Sequence, residues 1–137
     1  MLVRNCSGGI VFNNDKVLLL QNEKNEWVFP KGVIRSGDLA DEVALKRVEM
    51  ESGVKAVILC PAGKTNYEFY SISRQRPVCN KIDWYIMKTE QETVTPNAAQ
   101  NFYDGGFYPV DEAMKKATYS QDKSLLAIAY QTYKART

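Results

Sequence analysis

The sequence predicts an α/β protein of the α+β kind, one mixed β-sheet sandwiched between helices in an α/β/α arrangement. Two observations carry this. Apolar runs rich in branched and aromatic residues, such as "GGIVF", "KVLLLQ" and "IDWYIMK", are bounded by turn residues, as strands are. Three amphipathic stretches with helical spacing also need a sheet surface to cover. At 137 residues the chain is expected to form a single domain spanning 1–137.

In order along the chain, "GGIVF", "NND" and "KVLLLQ" read as a hairpin whose turn is built from Asn and Asp. The "SGG" at Ser7–Gly9 reads as a strand start, since a phosphate loop would need a helix behind it. "NEWVFPKG" is expected to be a short strand stopped by Pro30 and Gly32. A helix should open near Asp38 and close at "ESGV", with Gly53 as its C-terminal glycine. "KAVILCPAGKTNYEFYSIS" and "PVCNKIDWYIMK" are long strands, with "RQRP" expected as the turn between them. "TEQETVTPNAAQNFYDGG" reads as a polar loop, and "FYPVDEAMKKA" as a strand end entering a short helix. The last helix shows apolar spacing at Leu125, Leu126, Ile128 and Ala129.

Composition narrows the chemistry. A net charge of +2 does not demand nucleic acid or membrane as a partner, and no apolar run is long enough to span a bilayer. The N-terminus shows no signal-peptide core and reads straight into a strand. Cys6, Cys60 and Cys79 are an odd, scattered set, expected to be free thiols in a reducing, cytoplasmic setting, with small core residues as their role. The chain contains no histidine, which excludes Ser-His-Asp, Cys-His and His-ligated zinc chemistry. Any metal would be held by oxygens, which favours magnesium, manganese or calcium.

On the central helix, Asp38, Glu42, Lys46 and Glu49 share the side expected to meet solvent. Ala40, Ala44, Leu45 and Val48 form one apolar stripe, and Leu39, Val43 and Met50 another. Arg47 and Glu51 fall between them, facing the protein. Charges there must pair or face a cavity. An i, i+4 salt bridge at the core rim and a pocket lining both satisfy that demand.

The stretch "KGVIRSGDLADEVALKRVEMESGV" resembles the Nudix box, G-x5-E-x7-R-E-U-x-E-E-x-G-U with U aliphatic. Gly32 opens it, and Gly53 with Val54 closes it at the family's spacing. Val48 and Glu51 match, and Asp38 stands for the first glutamate. The flanks "GGIVF…KVLLLQ…WVFPKG" and "FYPVDEA" agree, so the resemblance covers nearly the whole chain and implies the Nudix fold. "WVFPKG", "GKTNYEFY" and "IDWYIMK" look most like the diadenosine tetraphosphate hydrolases of that family. Membership implies divalent ions held by box glutamates, a backbone carbonyl beside the opening glycine, and often a later loop glutamate, splitting a phosphoanhydride of a nucleotide.

This chain departs from the pattern at its ligands. Lys46 takes the arginine position, Arg47 the next glutamate, and Met50 a third carboxylate position. Glu49 cannot substitute, lying about 160° around the helix from Glu51. The loop-ligand position falls at Asn101 or Asp104. The resemblance thus implies residual catalytic residues Glu51 and Asp38. It implies metal contacts from Glu51, the Lys31 main-chain carbonyl and Asp104, with magnesium or manganese if the protein is active and no cofactor otherwise. Substrate contacts are expected from Lys31, Gly32, Arg47, Tyr67, Tyr70 and Lys81, with Tyr103 a further stacking candidate. Three functions stay open: a nucleotide or RNA-end binding module with hydrolysis weak or lost, a metal-dependent hydrolase of dinucleoside polyphosphates or related nucleotides, and an interaction domain keeping only the fold. The expected partner is a nucleoside or dinucleoside polyphosphate, with no membrane, nucleic acid only as RNA ends, and a monomeric or homodimeric state.

Overall fold

A computed structural model describes residues 1–136. Strand β1 (Leu2–Asn13) is the axis of a seven-stranded mixed sheet, and turns at Asn14, whose φ of 52° suits asparagine, into β2 (Lys16–Asn22). Then come β3 (Trp27–Val28), β4 (Lys31–Val33), helix α1 (Ala40–Ser52), and the long hairpin β5 (Val57–Ser71) and β6 (Arg76–Lys88). A 3₁₀ turn (Ala98–Gln100), β7 (Phe102–Pro109), α2 (Val110–Lys116) and α3 (Ser120–Arg136) complete the chain. The path runs β3-β2-β1-β6-β5, with β4 added on β1 and β7 on β2. β1 and β6 run parallel from Leu2 opposite Val78 to Phe12 opposite Lys88.

The sheet forks at β1. Its outer half pairs with β2 (Phe12 opposite Val17), while its inner half pairs with β4 (Cys6 opposite Val33). The fork needs a close approach, which Gly8 supplies. A Cβ there would lie 2.4 Å from the Pro30 carbonyl oxygen and 2.6 Å from the Trp84 ring.

Strand alternation divides the core in two. Ile10, Phe12, Val17, Leu19, Trp84 and Ile86 point to the face covered by α2 and α3. Val11, Leu18, Leu20 and Met87 point to the face covered by Ala44 and Val48 of α1. That is the sandwich the sequence implies, and Phe12 stacks on Tyr133 of α3 with centroids 4.4 Å apart.

Several local expectations shift. Pro30 interrupts the strand without ending it: the chain re-enters the sheet as β4 and pairs with β1. The hairpin turn is Ile72–Gln75, with Gln75 at φ 53°, so Arg76 and Pro77 already belong to β6. The stretch containing Asp104 is a strand, because it pairs with β2 (Asp104 opposite Gln21). Leu39 precedes α1 and is exposed; Ile128 points outward, and Tyr133 takes up the inward spacing of α3. Gly53 ends α1 with φ 72° as expected. All three cysteines are free, with Cys6 and Cys79 buried as small core residues and Cys60 partly so.

Candidate functional site

The inward charges of α1 satisfy both demands at once. Glu51 is 2% exposed, and Arg47 donates to its Oε2 from Nε at 3.0 Å and from Nη2 at 2.8 Å. The Arg47 stem lies flat on the backbone of Gly32: a Cβ there would sit 2.5 Å from Arg47 Cγ, Cδ and Nε. The opening glycine therefore makes room for the arginine. Nη1 reaches the Met50 sulfur at 3.5 Å, and Nη2 reaches Gln100 Oε1 at 3.5 Å.

Glu51 Oε1 is buried with no hydrogen-bond partner. Burial pushes the Glu51 carboxyl up to about 7, opposed by the charge and hydrogen bond of Arg47 and by Lys31. Near neutrality it is therefore poised between charged and neutral forms.

Above this pair lies a cleft of about 530 Å³. Arg4, Lys31, Arg35, Lys46 and Arg47 line it against one carboxylate, Asp38, so its field is that of an anion site. Asp38 is exposed, and its Oδ2 accepts from the Arg35 amide at 3.3 Å, bracing the loop before α1. The loop after β6 closes the far end of the helix. Asn97 donates from Nδ2 to the Met50 carbonyl at 2.9 Å, and from its amide to the Glu51 carbonyl at 3.0 Å.

A second cavity, about 330 Å³, adjoins the first, and Lys31 and Asn80 line both. Its wall includes Tyr67 and Phe69, which stack at 5.4 Å, together with Trp84 and the start of α3. Trp84 Nε1 donates to Thr65 Oγ1 at 2.8 Å, holding the indole upright. At the rim, Tyr119 donates to Glu26 and lies 3.4 Å from the Tyr67 hydroxyl, tying α3 to the β2–β3 turn and β5. Burial and these bonds raise the Tyr119 hydroxyl well above the usual tyrosine value.

Of the residues singled out in the sequence, Lys31, Gly32, Arg47 and Glu51 come together, with Asp38 at the outer edge of the same cleft and Tyr67 in the adjoining cavity. Tyr70 is 62% exposed, on the β5 face opposite Tyr67, and Lys81 is exposed between the buried Asn80 and Ile82. Both follow from the period of two along a strand. Tyr103 and Asp104 are exposed on β7, and Asp104 Oδ1 accepts from the Gly105 amide at 2.7 Å. Asn101, in the left-handed region at φ 66°, ends the 3₁₀ turn; its neighbour Gln100 is the side chain that meets Arg47.

Sequence reading missed Arg4, Asn80, Gln100 and Asp122. Two of them carried a signal. Asn80 shares the parity of Ile82 and Trp84, which marks it as inward and polar. Asp122 sits three, four and seven residues before Leu125, Leu126 and Ala129, on the buried face of α3.

A curled mixed sheet with one helix laid beside a cationic, glycine-floored cleft defines a small α+β domain. The chain belongs to the Nudix family: residues 4–127 match the NUDIX domain. A mutator protein designated MutT4 in Mycobacterium tuberculosis (strain CDC 1551 / Oshkosh) is 23% identical over 103 residues. That match takes in 75% of this chain but 40% of the relative, so the chain spans well under half of that protein.

Solved structures with the same fold include a C. elegans Ap4A hydrolase binary complex (TM-score 0.72, 17% identity, 98% of this chain and 99% of that one). An E. coli dihydroneopterin triphosphate pyrophosphohydrolase is similar too (TM-score 0.74, 13% identity, 92% and 95%). So is an ADP-ribose pyrophosphatase of Streptococcus suis (TM-score 0.73, 17% identity, 95% and 91%).

Nudix hydrolases generally use a divalent metal. Among the described residues no three Cys, Asp or Glu side chains are gathered closely enough to hold an ion. One oxygen of Glu51 is committed to a guanidinium within 3.0 Å, a charge that repels a dication.

Proposed function

We propose that this protein binds the polyphosphate of a nucleotide through arginine and lysine side chains, with phosphoanhydride hydrolysis weak or lost. The observation that carries the reading is the Arg47–Glu51 pair. A guanidinium held by Glu51 stands where the family's box writes a carboxylate, which supports a positive charge supplied by the side chain in place of a metal's. Guanidinium forks bind phosphate oxygens directly and in defined geometry. Lys31, Arg35, Lys46 and Arg4 around the same cleft add long-range attraction for a multiply charged chain. The aromatic wall beside Tyr67 suits a base, and the shared lining of Lys31 and Asn80 lets one ligand span both cavities. The ligand class is a nucleoside or dinucleoside polyphosphate, in keeping with the Ap4A hydrolase-like fold.

Thermal shifts with ATP, diadenosine tetraphosphate and tripolyphosphate test this, each with and without chelator. Stabilisation should survive chelation and disappear in Arg47→Ala. Stabilisation that needs magnesium or manganese would overturn it.

A metal-dependent hydrolase is the second reading, favoured by one observation, the buried and unpartnered Glu51 Oε1. It requires nucleotide turnover that depends on added metal and is lost in Glu51→Gln.

A further inference from the structure

Strand β5 ends the path of the sheet, so one of its edges has no neighbouring strand. Such an edge is a template for another strand unless something covers it. Here the cover is one side chain. Gln121, in the first turn of α3, donates from Nε2 to the Asn66 carbonyl at 2.8 Å, and its Oε1 accepts from the Asn66 amide at 3.3 Å. The carboxamide thus meets both backbone groups of one residue, as the opposite residue of an antiparallel strand does. It also marks which residues of β5 turn their backbone outward. Pairing with β6 is regular from Gly63 to Ser71, so Lys64 and Glu68 present their amides and carbonyls on the same side as Asn66. Among the described residues no hydrogen bond from beyond the strand ladders reaches the backbone of either.

The side chains of Lys64, Asn66 and Glu68 are exposed, on the face opposite Tyr67. Lys64 lies 3.5 Å from Asp83 of β6 and stays 83% exposed. Glu68 faces Cys79 across β6 and forms no ion pair among the described residues. The run Lys64-Thr65-Asn66-Tyr67-Glu68 is therefore self-complementary in charge about its centre. A two-fold axis at Asn66 sets Lys64 opposite Glu68 of a second copy, and Glu68 opposite its Lys64. Of the antiparallel registers in which outward groups meet, only this one opposes those two charges. The length of the regular edge agrees. It begins at Gly63, with φ 136°, beside the irregularity at Pro61, and Gly63–Phe69 is centred on Asn66. Further back, Arg136 Nη2 donates to the Leu59 carbonyl at 3.2 Å.

We propose that the β5 edge docks a second copy of this chain, antiparallel and centred on Asn66, and that Gln121 holds the partner's place in the monomer. The interface is isologous, with about six backbone hydrogen bonds and a Lys64–Glu68 pair at each end. A foreign strand has no need of this charge symmetry, whereas a second copy supplies it automatically. Gln121 is exposed, so its side chain has solvent to swing into when the strand arrives. Docking exchanges two glutamine clamps for the new backbone bonds, which keeps the association weak and reversible. Nothing in this depends on the nucleotide reading.

Sedimentation velocity over about a hundredfold range of protein concentration tests it. Gln121→Ala removes the clamp and should tighten self-association about tenfold relative to the unmodified chain. In that background Lys64→Glu opposes like charges at both ends of the interface, and so does Glu68→Lys. Each should weaken self-association about tenfold. Mixed together, the two variants regain opposite charges at both ends, and should form a heterodimer about tenfold tighter than either homodimer. The substituted side chains are all exposed, and a thermal melt of each variant checks that it is folded. Self-association no tighter in Gln121→Ala than in the unmodified chain overturns the inference. So does association indifferent to Lys64→Glu, or a mixture no more associated than its components.

Discussion

At Glu51 two opposing forces act on one carboxyl. Burial favours the neutral form and Arg47 favours the charged one, and burial wins far enough to raise the group to about 7 from 4.5. The sign for stability follows from proton counts. Between about pH 4.5 and 7 the folded state holds a proton that the unfolded chain has released, so stability falls as pH rises through that window and is flat above it. The upper bound is about 3.4 kcal/mol, since one pH unit corresponds to about 1.4 kcal/mol. Glu51→Gln should remove this slope, which urea unfolding of both proteins at pH 5 and pH 8 would measure. If the two proteins lose stability equally between those pH values, Glu51 does not titrate as described. Gly32 bears on the same pair from below. Gly32→Ala drives a methyl into the Arg47 stem, so the guanidinium must leave Glu51. We expect a loss of about 1–3 kcal/mol in stability, and a loss of tripolyphosphate affinity as large as that of Arg47→Ala. Retained affinity would show that the glycine serves the fold alone.

Helix α1 is held at both ends by partners that lie outside it. Ser7 Oγ donates to the Ala40 carbonyl at 2.7 Å at its start, and Asn97 with the Thr95 amide receives its last turn. Asn97→Ala removes the side-chain bond to Met50 and a second one from the Ala99 amide. The expected effect is about 1–2 kcal/mol, or roughly 4–8 °C in a thermal melt. It should also loosen Gln100 from Arg47, visible as faster amide exchange confined to residues 97–101. At this scale the sequence was legible wherever a rule is local. The wheel placed Asp38, Glu42, Lys46 and Glu49 in solvent and turned Arg47 and Glu51 inward, and Gly53 marked the end of the helix. It was not legible where pairing with a distant strand decides. Asp104 has turn-like neighbours yet joins β2, and Pro30 separates two strands because β1 has a free edge for the second. Tyr70 and Lys81 lie on the parity turned away from the cavities, for a subtler reason. Composition marked β5 and β6 correctly, but only the register with β1 says which parity faces the cavities.

Across the whole molecule, the fold and the charge of the cleft are separable. The two cores are built by strand alternation and by Ala44 and Val48, none of which needs a charged residue of the cleft. The cationic lining, by contrast, is gathered from β1, β4, the loop before α1 and α1 itself, so its sign can be changed without touching either core. Replacing Arg47→Glu and Met50→Glu together restores the family's carboxylates on a scaffold that already presents Glu51 and the Gly32 floor. Without metal, the added charges crowd Glu51 and should lower stability by about 1–3 kcal/mol. Millimolar magnesium or manganese should restore it, because an ion that binds only the folded state stabilises by mass action. The double variant should therefore show a metal-dependent rise in melting temperature, weaker binding of tripolyphosphate in chelator, and metal-dependent release of phosphate from a nucleotide panel. A variant that folds but neither responds to metal nor loses its hold on tripolyphosphate would mean that the arginine was never standing in for a cation.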